Sequence, residues 1–179
     1  MAEAARSIQA VTGALAAQQG QYLTFQLGNE TFAMGILHIK EIIEYGSLTS
    51  VPMMPVFIRG VINLRGAVVP VVDLAARFGR VSCKVTRRTC IVIIEVEANG
   101  ERQDVGLVVD AVNEVIDVPA AEIEPPPAFG ANLRTDFIEG MGKISGKFVI
   151  MLDVNRVLSF EDLLLAAHAG AAGEAGGQR

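Results

Sequence analysis

The chain has 179 residues, 51% of them hydrophobic, and a formal net charge of -5 at pH 7, so it can bury a substantial core in one domain or two small lobes. The acidic balance argues against nucleic acid as a partner, because phosphate binding relies on clustered lysine and arginine. The uncharged stretch 7–29 is interrupted by glutamine, threonine and glycine and lacks a leucine-rich centre, so we expect a cytoplasmic protein with neither a signal peptide nor a membrane-inserted segment.

Residues 1–20 are rich in alanine and glutamine. Ile8, Val11 and Leu15 follow a helical spacing, which predicts no more than a weak amphipathic turn or two. We therefore expect a mobile N-terminal arm before the folded part of the chain.

Two hairpins with similar neighbours follow. In the first, QYLTFQL alternates from Gln21, GNE makes a turn and TFAMG returns. In the second, CIVIIEVE runs from Cys90, an Asn-Gly pair supplies the turn and QDVGLVVD returns. Each hairpin precedes a segment with a two-residue period, IKEII after the first and VNEVI after the second. The sequence therefore predicts that the same set of strands occurs twice.

The clearest repeat relates residues 57–78, FIRGVINLRGAVVPVVDLAARF, to residues 137–158, FIEGMGKISGKFVIMLDVNRVL. Six identities hold the alignment: Phe57 with Phe137, Ile58 with Ile138, Gly60 with Gly140, Gly66 with Gly146, Val69 with Val149 and Asp73 with Asp153. The pattern predicts a strand, a glycine turn, an apolar strand and a short helix capped by the aspartate. The residue before the turn glycine differs, Arg65 in the first copy and Ser145 in the second, so we expect function at this turn rather than in the repeated core.

The duplication predicts a mostly β fold. Copies over about 21–80 and 89–158 each hold roughly five short strands, and five strands with a buried face and tight turns favour a small closed barrel over an open sheet. Ser159 and Asp162 resemble a capping box for a C-terminal helix, and the Gly- and Ala-rich residues 169–179 are expected to be a disordered tail. Small barrels can bind nucleic acid, but no tryptophan and two tyrosines leave few side chains for base stacking.

A basic connector, residues 79–88, separates the two copies. It carries four cationic side chains: Arg80, Lys84, Arg87 and Arg88. We favour a solvated polar loop here, with a phosphate or anion site as the alternative.

Residues able to support catalysis are few. The two histidines are His38, flanked by apolar strand residues, and His168, near the end of the sequence. We expect His38 to be structural, and an enzyme built around it is the alternative. Cys83 and Cys90 match no metal-ligand spacing and are expected to be reduced thiols. No zinc spacing, phosphate-binding glycine motif or dinucleotide fingerprint occurs, so we expect no enzyme, no cofactor and no metal.

Four segments together resemble the CheW family of chemotaxis coupling proteins: IKEII, GVINLRGAVVPVVDL, VGLVVDAVNEV and GMGKISGKFVIMLDV. The resemblance covers about residues 21–165, and the Asn-Leu-Arg-Gly hairpin followed by Val-Pro-Val-Val-Asp-Leu is specific to CheW-like domains. It implies a single CheW-like domain over residues 21–168. The implied fold is two intertwined five-stranded barrels of SH3-like type, with a hydrophobic core between them.

The same resemblance implies a non-catalytic adaptor. CheW-like proteins bind the cytoplasmic tip of methyl-accepting chemoreceptors and the regulatory domain of the histidine kinase CheA, and are recruited with both into membrane-associated arrays. By motif position, four residues would contribute to the receptor groove: Ile39, Glu41, Arg65 and Val68. Glu114 occupies the place of Glu41 in the second copy, so a solvated, inherited Glu41 stays open as an alternative. The kinase contacts lie at the ends of the lobes and are not assigned to residues.

Overall fold

The computed structural model describes residues 3–8, 20–46, 48–82, 84–98, 100–125 and 137–158. Within them the chain is mostly β. The strands are β1 (Gln21–Leu27), β2 (Glu30–Gly35), β3 (Ile39–Glu44), β4 (Ile58–Leu64), β5 (Ala67–Asp73), β6 (Cys90–Ala98), β7 (Glu101–Val109), β8 (Ala111–Asp117), β9 (Ile123–Glu124), β10 (Ile138–Ile144) and β11 (Lys147–Leu152). The helices are α1 (residues 3–8), α2 (Leu74–Arg77) and α3 (Val154–Val157), and short 3-10 turns cover Ile36–His38 and Ala120–Glu122.

The two copies exchange their hairpins. One sheet has the order β8-β1-β2-β11-β10-β9 and the other the order β3-β6-β7-β5-β4. The β1–β2 hairpin of the first copy therefore lies among strands of the second copy, and the β6–β7 hairpin of the second lies among strands of the first. Each hairpin joins its host through one parallel pairing, β2 with β11 and β5 with β7, and one antiparallel pairing, β1 with β8 and β3 with β6. This arrangement confirms a mostly β fold of two intertwined lobes.

The expected closed barrel is not present as a continuous backbone ladder in the described residues. Closure would join β4 to β3 in one sheet and β10 to β8 in the other. Thr49 instead pairs with Val61 on β4 through two hydrogen bonds of 2.9 Å, and β9 pairs with β10 at Met141 and Gly142. The segment before each Phe-Ile-x-Gly unit thus takes the backbone groups that closure would need.

Three apolar clusters fill the two lobes and the space between them. The largest includes residues from both sheets, among them Phe25 and Val92, and so lies between the lobes. A second lies within the lobe that contains β3 to β7, and a third lies within the lobe that contains β1, β2 and β8 to β11. Alternate residues of β6 face different clusters, Ile91 the second and Val92 the first, which explains why CIVII is a continuous apolar run.

A stack of aromatic rings crosses the interface between the lobes. The ring centroids of Phe25 and Phe32 are 6.0 Å apart, those of Phe32 and Phe78 5.8 Å, and those of Phe78 and Phe137 5.2 Å. Phe78 and Phe137 belong to different copies. The stack therefore links the end of the first repeat unit to the beginning of the second.

The repeated units superpose in their special geometry. A bulge interrupts the β4–β5 ladder at Gly60 and the β10–β11 ladder at Gly140. The Asp73 side chain accepts the Ala76 N–H bond and the Asp153 side chain accepts the Asn155 N–H bond, so each aspartate caps the helix that follows it. The expectation of one backbone plan used twice is confirmed.

The N-terminal helix α1 lies within the segment expected to be a mobile arm. Ala4 is 2% exposed and belongs to the largest cluster, and Ile8 packs against that cluster. This part of the arm therefore docks on the body of the protein. The expected C-terminal helix after Ser159 and the expected tail 169–179 lie outside the described residues.

Candidate functional site

The four residues expected to bind the receptor lie on neighbouring parts of one lobe. Ile39 and Glu41 are in β3, Arg65 is at the β4–β5 turn and Val68 is in β5. Strands β3 and β4 are the two ends of the five-stranded order, yet Arg65 Nη2 lies 2.6 Å from Glu41 Oε2. The sheet is therefore curved enough for a side-chain ion pair to connect its two edges. No backbone hydrogen bond between strands connects these edges in the described residues.

This ion pair leaves most of the arginine available to a partner. The Arg65 side chain is 78% exposed and that of Glu41 22% exposed. An ion pair with one partner in solvent contributes about 1 kcal/mol or less to stability. Its main effect is to hold the guanidinium over the curled edge, where the remaining N–H groups can meet a carboxylate or a carbonyl.

The backbone of the turn adds to this positioning. Arg65 has φ 53° and Gly66 φ 86°, the two left-handed residues that a tight two-residue hairpin requires. The Asn63 side-chain oxygen accepts a hydrogen bond of 3.0 Å from the Gly66 N–H group. The sequence predicted the turn glycine but not the left-handed backbone conformation of Arg65, because arginine has no preference for that conformation.

Ile39 and Val68 supply partly buried apolar surface beside the ion pair. Both are half-buried and pack against the largest cluster. A bulge between Ile39 and Glu41 interrupts the pairing of β3 with β6. A bulge changes the direction of side chains along an edge strand. The residues expected to bind the receptor therefore lie on an irregular, curved edge rather than on a flat strand.

Lys40, inside this bulge, forms a separate charged cluster. Its Nζ lies 3.0 Å from Asp104 Oδ2 and 3.8 Å from Glu95 Oε2. The hydrogen bond and charge of Asp104, and then Glu95, raise the pKa of the Lys40 ammonium group. Sequence reasoning missed this cluster because Lys40 and Asp104 belong to different copies and meet only through the hairpin exchange.

The equivalent positions of the second lobe do not form an ion pair of this kind. Glu114 and Ser145, counterparts of Glu41 and Arg65, line a cleft of about 520 Å³. Phe148, the counterpart of Val68, lines the same cleft and is 54% exposed. The duplicated scaffold thus carries two different surfaces, which differ at Arg65 and Ser145 and at Val68 and Phe148.

A second asymmetry lies at the first strand of each repeat unit. Arg59 Nε is 3.0 Å from Asp73 Oδ2, and Asp73 is fully buried. Glu139 stands at the corresponding place in the second copy. Partial burial, followed by the Asp153 carboxylate, raises the pKa of Glu139, and His38 opposes the shift. The side chain at this position is therefore attracted to the capping aspartate in one lobe and repelled by it in the other.

Of the groups considered for catalysis, Cys83 and His168 lie outside the described residues. Burial raises the pKa of the Cys90 thiol to about 11, which leaves almost no thiolate at neutral pH. His38 is half-buried at the end of a 3-10 turn, with Glu139 as a charged neighbour. Asp73 and Asp153 act as helix caps in separate lobes. Within the described ranges, no group of three or more His, Cys, Asp or Glu side chains is placed to hold a metal ion.

Comparison with known proteins identifies the family. A family model described as the CheW-like domain matches residues 21–162. The chain belongs to the CheW-like family. The matched range contains both copies and both hairpins. It therefore includes every described strand of this CheW-like chain.

Named relatives agree in length and identity. The chemotaxis protein CheW of Klebsiella aerogenes is 34% identical over 145 residues, which cover 81% of this chain and 85% of the relative. CheW of Bacillus subtilis is 35% identical over 140 residues, covering 78% and 86%. The crystal structure of the scaffolding protein TtCheW from Thermoanaerobacter tengcongensis superposes with a TM-score of 0.70 at 34% identity, covering 81% of this chain and 91% of that one.

In the part of this CheW-like chain that the structure describes, no helix is long and apolar enough to cross a membrane.

Proposed function

We propose that this protein is a non-catalytic adaptor that couples methyl-accepting chemoreceptors to the histidine kinase CheA in a chemosensory array. Membership in the CheW-like family supports a role in chemotaxis signalling. The names of the relatives, which are chemotaxis proteins, and the scaffolding protein of similar structure support the adaptor class.

The single observation that carries the receptor part of the proposal is the exposed Arg65 side chain, held against Glu41 at the curled edge of one lobe. The tip of a chemoreceptor is a helical hairpin, and a groove that takes a helix needs apolar contacts for affinity and a few charges for register. Ile39 and Val68 offer the apolar contacts, and Arg65 offers a planar fork for a carboxylate or a helix-end carbonyl.

The kinase part of the proposal concerns a different surface. CheA contributes a regulatory domain that is itself CheW-like, and its contacts are expected at the ends of the lobes. Binding there leaves the Arg65 edge available to the receptor. The adaptor acts in the cytoplasm and is recruited to membrane-associated arrays through these two partners.

A reconstituted array tests the proposal. Purified protein is mixed with a receptor signalling fragment and CheA, and kinase autophosphorylation is followed with and without the protein. We expect receptor-controlled phosphorylation to rise when the protein is added, and no nucleotide hydrolysis by the protein alone. Kinase output that does not change, together with normal folding of the added protein, would overturn the adaptor proposal.

A further inference from the structure

In the basic connector, hydrogen bonds hold the backbone of the part that follows residue 83, and the connector contains none of the proposed receptor-binding residues. Thr89, which is 2% exposed, accepts a hydrogen bond of 2.8 Å from the Thr86 N–H group on its Oγ1 atom. The same hydroxyl donates to the Lys84 carbonyl at 3.3 Å, and the Arg88 N–H group donates to Thr86 Oγ1 at 3.1 Å. These bonds fix the backbone of residues 84–89, so side chains on it are presented without much loss of entropy on binding.

Positive charge gathers around one cleft beside this backbone. The cleft, of about 940 Å³, is lined by all four cationic residues of the connector: Arg80, Lys84, Arg87 and Arg88. Arg80 is already paired with Glu30 at 2.6 Å, whereas Arg87 and Arg88 are exposed. On a chain with a net charge of -5, this concentration of cations makes a local region that attracts anions.

Exposed apolar side chains accompany the charge. Val81 is 85% exposed and Val85 54% exposed, and both lie on the connector. The described residues contain six large apolar side chains with such exposure: Leu37, Met53, Val56, Val81, Val85 and Phe148. Two of them therefore fall on a single ten-residue segment that also carries the cations, a combination of apolar anchor and charged rim typical of an interface.

The protein's own N-terminal helix lies beside this surface. Glu3 of α1 lines the basic cleft. Ala4 is buried and lines an adjoining cleft of about 310 Å³ together with Val85 and Arg87. A short segment with a carboxylate beside an apolar residue thus already lies next to one side of the connector.

We propose that the basic connector is a second interaction surface, which binds a short acidic segment of another protein in which apolar residues separate the carboxylates. Arg87 and Arg88 pair with the carboxylates, and Val81 and Val85 contact the apolar residues. Glu3 and Asp110 also line the cleft and would repel a dense polyanion, and its described lining includes no aromatic ring on which a base could stack. A protein segment therefore fits better than nucleic acid.

Fluorescence anisotropy of the full chain with a labelled synthetic peptide tests this proposal. The peptide has about ten residues, in which glutamate and leucine alternate. We expect saturable binding that weakens as salt is added. Arg87→Glu with Arg88→Glu should weaken it about tenfold or more, and Val85→Ser about threefold or more. Lys143→Glu with Lys147→Glu, which changes the net charge equally on the other lobe, should leave binding within about twofold.

Several outcomes would overturn the proposal. Equal loss in the Lys143 and Lys147 control would show that net charge alone drives binding. A peptide with serine in place of leucine that binds as tightly would remove the apolar contacts. Tighter binding of oligothymidylate of the same length would make this a nucleic-acid surface. A thermal melt checks each variant, and Arg87→Gln with Arg88→Gln replaces the charge reversal if that variant misfolds. The test uses no receptor or kinase, so its result is independent of the adaptor proposal.

Discussion

Arg65 and Ser145 occupy the same left-handed place in two superposable turns, with φ 53° and 51°. The backbone therefore does not explain why one is arginine. Serine occupies this left-handed position in the second copy, so the turn does not require the long cationic side chain of Arg65. Its exposure and its contact with Glu41 support the proposal that Arg65 meets a partner at the lobe edge.

Arg65→Glu should weaken receptor binding by about 2 kcal/mol or more, because an arginine at the centre of a contact often dominates its energy. Stability should fall by about 1 kcal/mol or less, since an exposed ion pair contributes little. Receptor pull-down and a thermal melt measure the two effects. Ser145→Glu, at the equivalent turn, is the matched control and should change neither, and CheA binding should be kept in both variants. A large drop in the melt of Arg65→Glu would make Arg65 a structural residue instead.

Glu41→Lys should weaken receptor binding by about 1 to 3 kcal/mol if Glu41 helps to fix the receptor helix. The combined charge swap, Glu41→Lys with Arg65→Glu, separates two explanations, because it restores an ion pair inside the lobe while presenting reversed charges to the receptor. We expect the swap to have near-normal stability and to remain defective in isothermal titration with the receptor fragment. Recovery of receptor affinity in the swap would mean that the pair acts only within the protein.

Glu139 provides a test that depends on pH. Its folded pKa is raised, first by partial burial and then by the Asp153 charge, so the ionised carboxylate destabilises the folded state at pH values above that pKa. Glu139→Gln should therefore be more stable than the parent at neutral pH. The difference should shrink as pH falls through the raised folded pKa toward the unfolded value, because the parent then becomes neutral too. Because the Glu139 side chain is also partly exposed to solvent, the gain should be small. Urea denaturation at several pH values measures it, and a gain that grows on acidification would contradict the assignment.

At the scale of elements, each repeat unit depends on a close backbone approach. A Cβ atom at Gly60, where φ is 150°, would collide with the Thr49 carbonyl oxygen, which pairs with β4. At Gly66, where φ is 86°, the space around such an atom is open. The repeated glycines therefore serve different purposes, one to admit a neighbouring backbone and one to allow a left-handed turn.

Gly60→Ala should cost about 3 kcal/mol or more, because the neighbouring carbonyl belongs to the backbone and cannot rotate away. Gly66→Ala should cost about 1 to 2 kcal/mol, the strain of a left-handed residue with a side chain. Equilibrium unfolding in urea compares the two variants with the parent. Equal losses of stability in the two variants would show that the segment around Thr49 moves aside. The pairing of this segment with β4 would then be easily displaced.

At the scale of the whole molecule, neither copy has a sheet of its own. Within the first copy the ladders join only β1 to β2 and β4 to β5 among the described strands, and the other ladder partners come from the second copy. The largest apolar cluster also draws on both copies. The two lobes are therefore formed jointly, and each half of the chain is expected to lack a complete core.

Two fragments divided within the basic connector test this dependence. Each fragment alone should show no cooperative unfolding transition, because its hairpin lacks a host sheet and its apolar face stays exposed. An equimolar mixture should recover a cooperative melt and the circular dichroism spectrum of the intact chain. A single fragment that melts cooperatively as a monomer, as judged by sedimentation, would show that the hairpin exchange is not needed for folding.

The sequence by itself determined the duplication, the order of strands and turns, the two aspartate caps and the family. These features depend on neighbouring residues: a two-residue period makes a strand, a glycine permits a left-handed turn, and an aspartate before a short helix caps it. The repeat of FIxG units eighty positions apart then fixes that the same local plan is used twice. The kinase contacts and the expected C-terminal helix stay predictions.

Only the tertiary structure decided which charges meet. It placed Arg65 against Glu41 across the curled edge, Lys40 between Glu95 and Asp104 of the other copy, and Glu3 beside the basic connector. It also showed that Thr49 and β9 take the edges that barrel closure would use. Such pairings join residues that are far apart in the chain. The spacing of charged residues along the sequence does not indicate which of them will pair. Their contacts therefore follow from the exchange of hairpins rather than from any local pattern.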